Sequence, residues 1–170
     1  MITQEELKRI LGYRKDGKLV WKVNRNSYAG KVKIGAVAGT FDKSNGYTKI
    51  IIDQKKYYAH RLIYFYHYGE MPNTTDHINR DRLDNRIENL RSVTSSENSW
   101  NKPKAEGNFS SKYKGVSWCK VMNKFRARIK TKGKEIRLGY FEKEDAASLA
   151  YNNYIKKNFK EHGYLNQIGK

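Results

Sequence analysis

Cationic and apolar side chains alternate along one short segment in the second half of the chain. From Lys124 to Lys130 the sequence reads KFRARIK, so that every second residue is lysine or arginine and the others are Phe, Ala and Ile. Because successive side chains of a β-strand point to opposite faces of a sheet, this pattern predicts a strand with one basic and one apolar face. The chain is therefore expected to form a sheet that buries one face and leaves a basic face open.

The residues on both sides of this strand complete a small C-terminal unit, residues 112–166. Tyr113–Trp118 and Glu135–Phe141 have the composition of flanking strands, and Glu142 begins a helix at its acidic end. The alanines and tyrosines that follow form an apolar stripe able to cover one face of the sheet. We predict a three-stranded antiparallel sheet packed on one helix.

The N-terminal part combines short strand signals with a helix. Asp16-Gly17 and Asn45-Gly46 are hairpin turn signals, each followed by β-branched or aromatic residues. From His60 the apolar residues follow a helical period, which Gly69 ends. Residues 101–111, rich in Lys, Gly, Asn and Ser, are the expected linker. The predicted fold class is α+β.

The charge balance indicates the kind of partner. The chain has 35 Lys+Arg against 17 Asp+Glu, a formal net charge of +18. This surplus favours polyanions as partners and predicts salt-dependent binding through counterion release. A single cysteine, Cys119, excludes an intramolecular disulfide and a thiolate zinc cluster. Without a membrane-spanning apolar stretch or a signal-peptide pattern, we expect a cytoplasmic protein with neither a membrane nor a small-molecule substrate as partner.

Residues 76–98 place a histidine among carboxylates and carboxamides. Oxygen ligands such as Asp76 and Asn98 suit a hard cation like Mg²⁺, which takes few protein ligands and keeps several waters. His77 is suited to activate the attacking water. For His77 beside Asp76 alone, a hydrogen-bonded surface pair is the simpler interpretation. The whole stretch in so basic a chain favours a metal-dependent nuclease.

Two parts of the sequence resemble known families. The motifs of the first are Ala59-His60-Arg61-Leu62, Asp76-His77-Ile78-Asn79, the run from Asp84 to Arg91, and Val93-Thr94 to Asn98. They resemble the HNH endonucleases of phages and mobile introns. The motifs of the second are Tyr113-Lys114-Gly115-Val116, Leu138-Gly139-Tyr140-Phe141 and the alanine-rich helix that follows. They resemble the plant Apetala-two / ethylene-response-factor DNA-binding domain. Fusion of the two is typical of free-standing homing endonucleases.

The first resemblance implies an endonuclease domain at residues 1–100 with a ββα-metal core at about residues 57–101. Asp76 and Asn98 correspond to the two protein ligands of a single divalent ion. His77 corresponds to the general base, and Asn89 to the asparagine that fixes the loop and orients the histidine. Because the last ligand is Asn98 rather than histidine, the site is expected to prefer Mg²⁺ or Mn²⁺ to zinc.

Three residues of the first motif set have no settled role. Arg80 stands where many of the similar nucleases have glycine. His60 is either catalytic or, more simply, an anchor between the helix and the finger. Arg61 is either a structural partner or a phosphate contact.

The second resemblance implies a sheet that lies in the major groove of DNA. The candidate DNA-contacting residues are Lys114, Ser117, Arg126, Arg128, Lys130 and Arg137. Arginine pairs bidentately with guanine, so Arg126 and Arg128 are expected to read bases, while the lysines more often meet phosphate. A merely solvated basic face is the alternative.

Two functions from different classes follow from these features. The first is a site-specific DNA endonuclease of the homing type, which acts as a monomer on an asymmetric site, in a bacterial host's cytoplasm if the gene is phage-borne. The second is a DNA-binding regulator in which the HNH finger is only a scaffold. The joint presence of Asp76, His77 and Asn98 favours the first, because a scaffold does not need this set.

Overall fold

Small antiparallel sheets and short helices make up the part of the chain that the structure describes. The structure is a computed structural model and describes residues 2–27, 30–131, 133–159 and 162–169. These residues divide into two compact units, Met1–Thr94 and Ser95–Lys170. The division lies at Thr94, whereas the sequence analysis placed it at residues 101–111.

The first unit begins with a capped helix. Its elements are α1 (Gln4–Ile10), β1 (Leu11–Tyr13), β2 (Leu19–Trp21), β3 (Arg25–Ser27), β4 (Gly30–Val32), β5 (Thr40–Asp42), β6 (Tyr47–Ile52), β7 (Lys55–Tyr58), α2 (Ala59–Tyr68), β8 (Thr75–His77), a 3₁₀ turn (Ile87–Asn89) and β9 (Leu90–Ser92). Thr3 and Glu6 cap α1 reciprocally, because each side chain accepts a hydrogen bond from the other's backbone N–H. Gly69 ends α2 in the left-handed conformation.

The strands of this unit pair in antiparallel fashion. β1 pairs with β2, β3 with β4, and β8 with β9, while β5, β6 and β7 form a three-stranded sheet in that order. A single apolar cluster joins these elements: Leu7 of α1, Leu11 of β1, Ile50 of β6 and Leu62 of α2 are all buried in it. This core fixes α2 and its neighbouring strands, from which the site described below is built.

The second unit contains α3 (Ser95–Asn101), β10 (Val116–Cys119), β11 (Lys124–Thr131), β12 (Lys134–Phe141) and α4 (Glu144–Phe159). The three strands form one antiparallel sheet in chain order. Ala127 of β11 packs with Ala147 of α4, and Ile129 packs with Tyr151 and Ile155. The predicted three-stranded sheet on one helix is therefore confirmed, as is the mixed helix and sheet class. The structure adds a bulge between Ala127 and Arg128.

Helix α3 belongs to the second unit because its C-terminal end is tied to that unit's residues. The Trp100 ring centroid lies 3.9 Å from that of Phe159. The Lys114 ammonium group donates hydrogen bonds to the carbonyl oxygens of Ser99, Trp100 and Lys102 at 3.1, 2.9 and 2.5 Å. These bonds satisfy carbonyl groups that the end of a helix leaves open.

No helix within the described residues is long and apolar enough to cross a membrane.

Candidate active site

The strand pair β8–β9 presents the predicted Asp76 and His77 side by side. Asp76 lies opposite Arg91 and His77 lies opposite Leu90 in the antiparallel register. Asp76 is 8% exposed and His77 is 3% exposed, so both polar side chains are buried. Burial of two such groups is unfavourable unless each has polar partners.

Arg91 is the partner of Asp76. Its Nη2 and Nε atoms donate to Oδ2 of Asp76 at 2.6 and 3.1 Å. Both side chains are about one-tenth exposed. Arginine stays charged at every physiological pH and holds a carboxylate in a fixed direction. The carboxylate of Asp76 is therefore both charge-compensated and oriented.

Asn85 is the partner of His77. Nε2 of His77 lies 2.9 Å from Oδ1 of Asn85, in a contact buried from solvent. An amide oxygen can only accept a hydrogen bond, so with this orientation of Asn85 the proton of the neutral imidazole is on Nε2. The lone pair of the neutral ring is then on Nδ1, which is the nitrogen able to take a proton.

Asn89 closes the loop between β8 and β9. Its Oδ1 accepts from the backbone N–H of Asn79 at 2.9 Å, and its Nδ2 donates to Oδ1 of Asn79 at 2.9 Å and to the carbonyl of Asp84 at 2.7 Å. Asp84 in turn accepts from Nε and Nη2 of Arg86, and this contact lowers the pKa of Asp84 to about 2. The loop that carries Asn85 is thus fixed by hydrogen bonds from both of its ends.

Aromatic rings surround His77 on the side of α2 and the β5–β7 sheet. His60 meets His77 edge-on with ring centroids 5.2 Å apart, and Tyr47 stacks on His77 at 6.0 Å. Tyr58 stacks on His60 at 5.7 Å. His60 thus occupies the first turn of α2 and contacts the predicted general base directly.

Both imidazoles have lowered pKa values. Burial is the main cause for His77, whose pKa falls below 6.5 although the Asn85 hydrogen bond and nearby acidic groups act in the opposite direction. Burial also dominates at His60, followed by the charges of His77 and Arg61, and lowers the pKa to about 3. Desolvation disfavours the charged imidazolium, so both rings are neutral near pH 7.

The two arginines of unsettled role have structural contacts. Arg61 Nη2 donates to the carbonyl of Pro72 at 2.8 Å. Arg80 has a φ of 68°, in the left-handed region that favours glycine. The backbone of Arg80, in the turn after His77, thus adopts a conformation that glycine adopts more readily.

Asn98, the second predicted ligand, lies half-buried on α3 in the second unit. Its assignment as a ligand stays a prediction. Among the described residues there is no group of three or more His, Cys, Asp or Glu arranged to hold a metal ion.

The second unit presents the predicted basic face on the side of the sheet opposite α4. Ser117 of β10 is the cross-strand neighbour of Arg126 of β11, and Arg128 of β11 is the cross-strand neighbour of Arg137 of β12. Arg128 is ion-paired with Glu135 at 2.6 Å, and the exposed Lys130 also lies opposite this glutamate. Arg126 has no carboxylate partner among the residues that the structure describes.

The side chain of Lys114, a predicted phosphate contact, forms hydrogen bonds within the second unit. Its ammonium group is engaged by the three carbonyl groups at the end of α3. Burial, followed by the charge of Lys102, lowers its pKa to about 8. These bonds give Lys114 a structural role at the end of α3, and its contact with DNA stays a prediction.

Sequence reasoning gave no role to Asn85, Arg91 and Tyr47. Asn85 and Arg91 lie within the quoted motif, but nothing in the chain indicates that one faces His77 and the other Asp76. Tyr47 is distant in sequence and reaches His77 only through the packing of β6. The pairing of β8 with β9 identifies Arg91, which is opposite Asp76 in register.

Comparison with known proteins supports one of the two family resemblances. Residues 57–100 match the family model described as HNH endonuclease. The match includes α2, β8, β9 and all of α3 except its last residue, and leaves residues 112–166 outside it. No curated protein and no solved structure gave a significant match to the chain. The stretch from residue 57 to 100 is thus similar to HNH endonucleases, which indicates a nuclease that acts on DNA.

Proposed function

We propose that the protein is a metal-dependent DNA endonuclease of the homing type with His77 as its general base. The observation that carries this proposal is the hydrogen bond between His77 Nε2 and Asn85 Oδ1. It holds the neutral imidazole in one tautomer, beside a buried carboxylate, in a stretch similar to HNH endonucleases.

The chemistry of His77 follows from that tautomer. Nδ1 takes a proton from a water molecule as the water oxygen attacks phosphorus and the bond between phosphorus and the leaving oxygen breaks. Nε2 keeps its proton on the Asn85 side. The lowered pKa keeps the ring neutral at pH 7, so it is ready to accept that proton. Asn85 also stabilises the imidazolium that forms, because its oxygen accepts a hydrogen bond from the charged ring.

Asp76 and Asn98 stay the proposed ligands of a single Mg²⁺ or Mn²⁺ ion, on the chemistry of their side chains. A carboxylate and a carboxamide are ligands that hard cations prefer, and Mg²⁺ keeps waters in its remaining positions. When bound, the ion stabilises the negative charge that develops on the phosphate and on the leaving oxygen. Arg91 keeps the Asp76 carboxylate in one orientation, at the cost of sharing Oδ2 with the guanidinium.

The second unit is proposed to bind double-stranded DNA. Ser117, Arg126, Arg128, Lys130 and Arg137 share the face that α4 leaves open. Arginines on such a face are suited to base edges and lysine to phosphate, and the formal net charge of +18 supplies non-specific affinity. Recognition by this sheet as a monomer on an asymmetric site gives the nuclease its selectivity.

A DNA-binding regulator that does not cut is the second candidate. One observation favours it: Oδ2 of Asp76 is held by two nitrogen atoms of Arg91, so a metal ion would share this carboxylate with an arginine. A regulator of this kind would bind DNA through the same basic sheet.

Supercoiled plasmid DNA that carries the target site, with protein in excess, distinguishes the two candidates. The nuclease converts the plasmid to open-circular or linear DNA in Mg²⁺ or Mn²⁺, and EDTA prevents this conversion. The regulator retards the plasmid in a gel but leaves it supercoiled in either metal. Strand-specific end labels on the products then separate nicking from double-strand cleavage.

A further inference from the structure

The hairpin formed by β1 and β2 reaches the loop that carries Asn85. Gly17, in the turn of this hairpin, has a φ of +80°. A Cβ atom at this position would lie 2.5 Å from the backbone nitrogen of Arg86 and 2.6 Å from the carbonyl carbon of Asn85. The two backbones are therefore in direct contact, and a side chain at Gly17 requires one of them to move.

A second contact holds the other end of the same short segment. The backbone N–H of Ile87 donates to the hydroxyl oxygen of Tyr13 on β1 at 3.0 Å. The Tyr13 ring is fixed in turn by the edge of His67, with centroids 4.5 Å apart. The hairpin thus contacts the segment from Asn85 to Ile87 at both ends.

The position of this backbone segment determines where the Asn85 amide lies. Asn85 is 5% exposed, and its side chain has only two rotatable bonds between the backbone and the amide. Its Oδ1 atom meets Nε2 of His77 at 2.9 Å. A displacement of the Asn85 backbone is therefore transmitted to the imidazole, because the short side chain has little freedom to compensate.

We propose that the β1–β2 hairpin is a positioning element for His77, acting from Gly17 and Tyr13 through Asn85. The hairpin lies outside the stretch that matches the nuclease family, so this chain supports its general base with residues of its own N-terminal region. Gly17 and Tyr13 are positioning residues because neither touches the reacting atoms. The consequence for cleavage rests on the proposed function, whereas the consequence for the imidazole does not.

The test compares Gly17→Ala with Gly35→Ala in the full chain. Gly35 is a matched control, since its φ is +86° and nothing lies within 4 Å of an added Cβ. Both variants bear the same backbone strain, and only Gly17→Ala meets the Asn85 segment. The ¹⁵N signals of the His77 imidazole are measured first, because they report which nitrogen carries the proton without any need for activity.

We expect the Nε2-protonated form of His77 in the wild type and in Gly35→Ala, and a mixture of the two tautomers in Gly17→Ala. In the Mg²⁺-dependent cleavage assay we expect kcat of Gly17→Ala to fall by about 100-fold with KM little changed, because displacement of a catalytic group by about 1 Å has effects of this size. Gly35→Ala should cut at nearly the wild-type rate.

Tyr13→Phe keeps the test decisive if Gly17→Ala does not fold. This variant removes only the hydroxyl group that accepts the hydrogen bond from the Ile87 N–H. We expect a tautomer mixture and a smaller fall in kcat than in Gly17→Ala. Unchanged His77 signals in every variant that melts cooperatively would overturn the proposal. If the tautomers differ between the wild type and Gly17→Ala but the wild type never cuts DNA, the proposed nuclease is contradicted and the positioning role remains.

Discussion

At the scale of single residues, the site depends on how each buried polar group is compensated. Asp76 has the permanent charge of Arg91, whereas His77 has the neutral amide of Asn85. Burial disfavours the charged form of an imidazole whose neighbour is a neutral amide. The two adjacent residues of β8 thus have different partners, which suits the proposed roles of Asp76 in binding a cation and of His77 in accepting a proton.

The first prediction concerns His60 and the dependence of stability on pH. Its pKa is about 3 in the folded chain against 6.5 when solvated, so the unfolded chain binds an additional proton between these pH values. The free energy of unfolding should therefore be unaffected by His60 above pH 6.5 and fall as the pH decreases toward about 3. At pH 5 the free energy of unfolding should be about 2 kcal/mol lower than at pH 7 because of this residue.

The measurement is urea denaturation of the wild type and His60→Phe from pH 4 to pH 7.5. The variant should show a shallower dependence of stability on pH, because phenylalanine does not titrate. His67→Phe, which alters an exposed histidine of the same helix, is the control and should change the slope less. Parallel curves for wild type and His60→Phe would contradict the burial argument.

At the scale of elements, the sequence predicts the sheet of the second unit, but it predicts the candidate active site only in part. The KFRARIK alternation predicts the two faces of β11, and the fold confirms them because Ala127 and Ile129 face α4. The bulge after Ala127 was not predictable, since it depends on how β12 pairs with β11. The Arg128–Glu135 ion pair follows from that pairing as well.

The partners of His77 show why the rest of the candidate active site was not predictable from the sequence. Asn85, Tyr47 and His60 come from a loop, a strand and a helix, and only the apolar core of the first unit brings these elements together. Short-range patterns such as turn dipeptides and strand alternation carry no information on such contacts. Resemblance to a family indicated His77 as the candidate catalytic histidine but did not indicate the amide of Asn85 beside it.

The second prediction concerns the basic face of the β10–β12 sheet. Arg126→Ala should weaken DNA binding and relax preference at particular base pairs, by about 1–3 kcal/mol of discrimination, because a bidentate contact with guanine is lost. Arg128→Ala should relax preference in the same way but weaken binding less, because Glu135 already offsets the charge of Arg128. Binding to a randomised duplex library, sequenced before and after selection, measures both effects.

Lys130→Ala is the comparison that separates base contact from phosphate contact. It should weaken binding to all sequences alike and reduce the slope of log K against log salt by about 1. If Arg126→Ala and Lys130→Ala both reduce affinity without any change in preferred sequence, the sheet binds only the backbone of DNA and the recognition site lies elsewhere.

At the scale of the whole molecule, the chain combines two units that each have their own core. The apolar cluster of the first unit uses residues from Leu7 to Leu90, and the clusters of the second use residues of β10, β11, β12 and α4. A unit with its own core is able to fold alone. The nuclease-like stretch at residues 57–100 includes elements of both units.

The third prediction is that residues 1–94 fold alone but do not suffice for function. This fragment should melt cooperatively and keep the Nε2-protonated form of His77, because Gly17, Tyr13 and Asn85 all lie within it. It should bind DNA more weakly and with a smaller salt slope than the full chain, because the basic sheet is missing. Circular dichroism and fluorescence anisotropy measure both, and undiminished affinity would place DNA recognition in the first unit.

The most direct measurement for the account is a side-by-side comparison of cutting and binding by the wild type and His77→Ala. Proton abstraction is needed only in the transition state, while lysine and arginine contacts supply the affinity of the bound complex. We predict that His77→Ala loses cleavage in saturating Mg²⁺ by at least about 100-fold and binds the same DNA with a Kd within a few-fold of the wild type. Cleavage at the wild-type rate, or loss of binding in parallel with cleavage in a variant that still folds, would contradict the role of His77 as the general base.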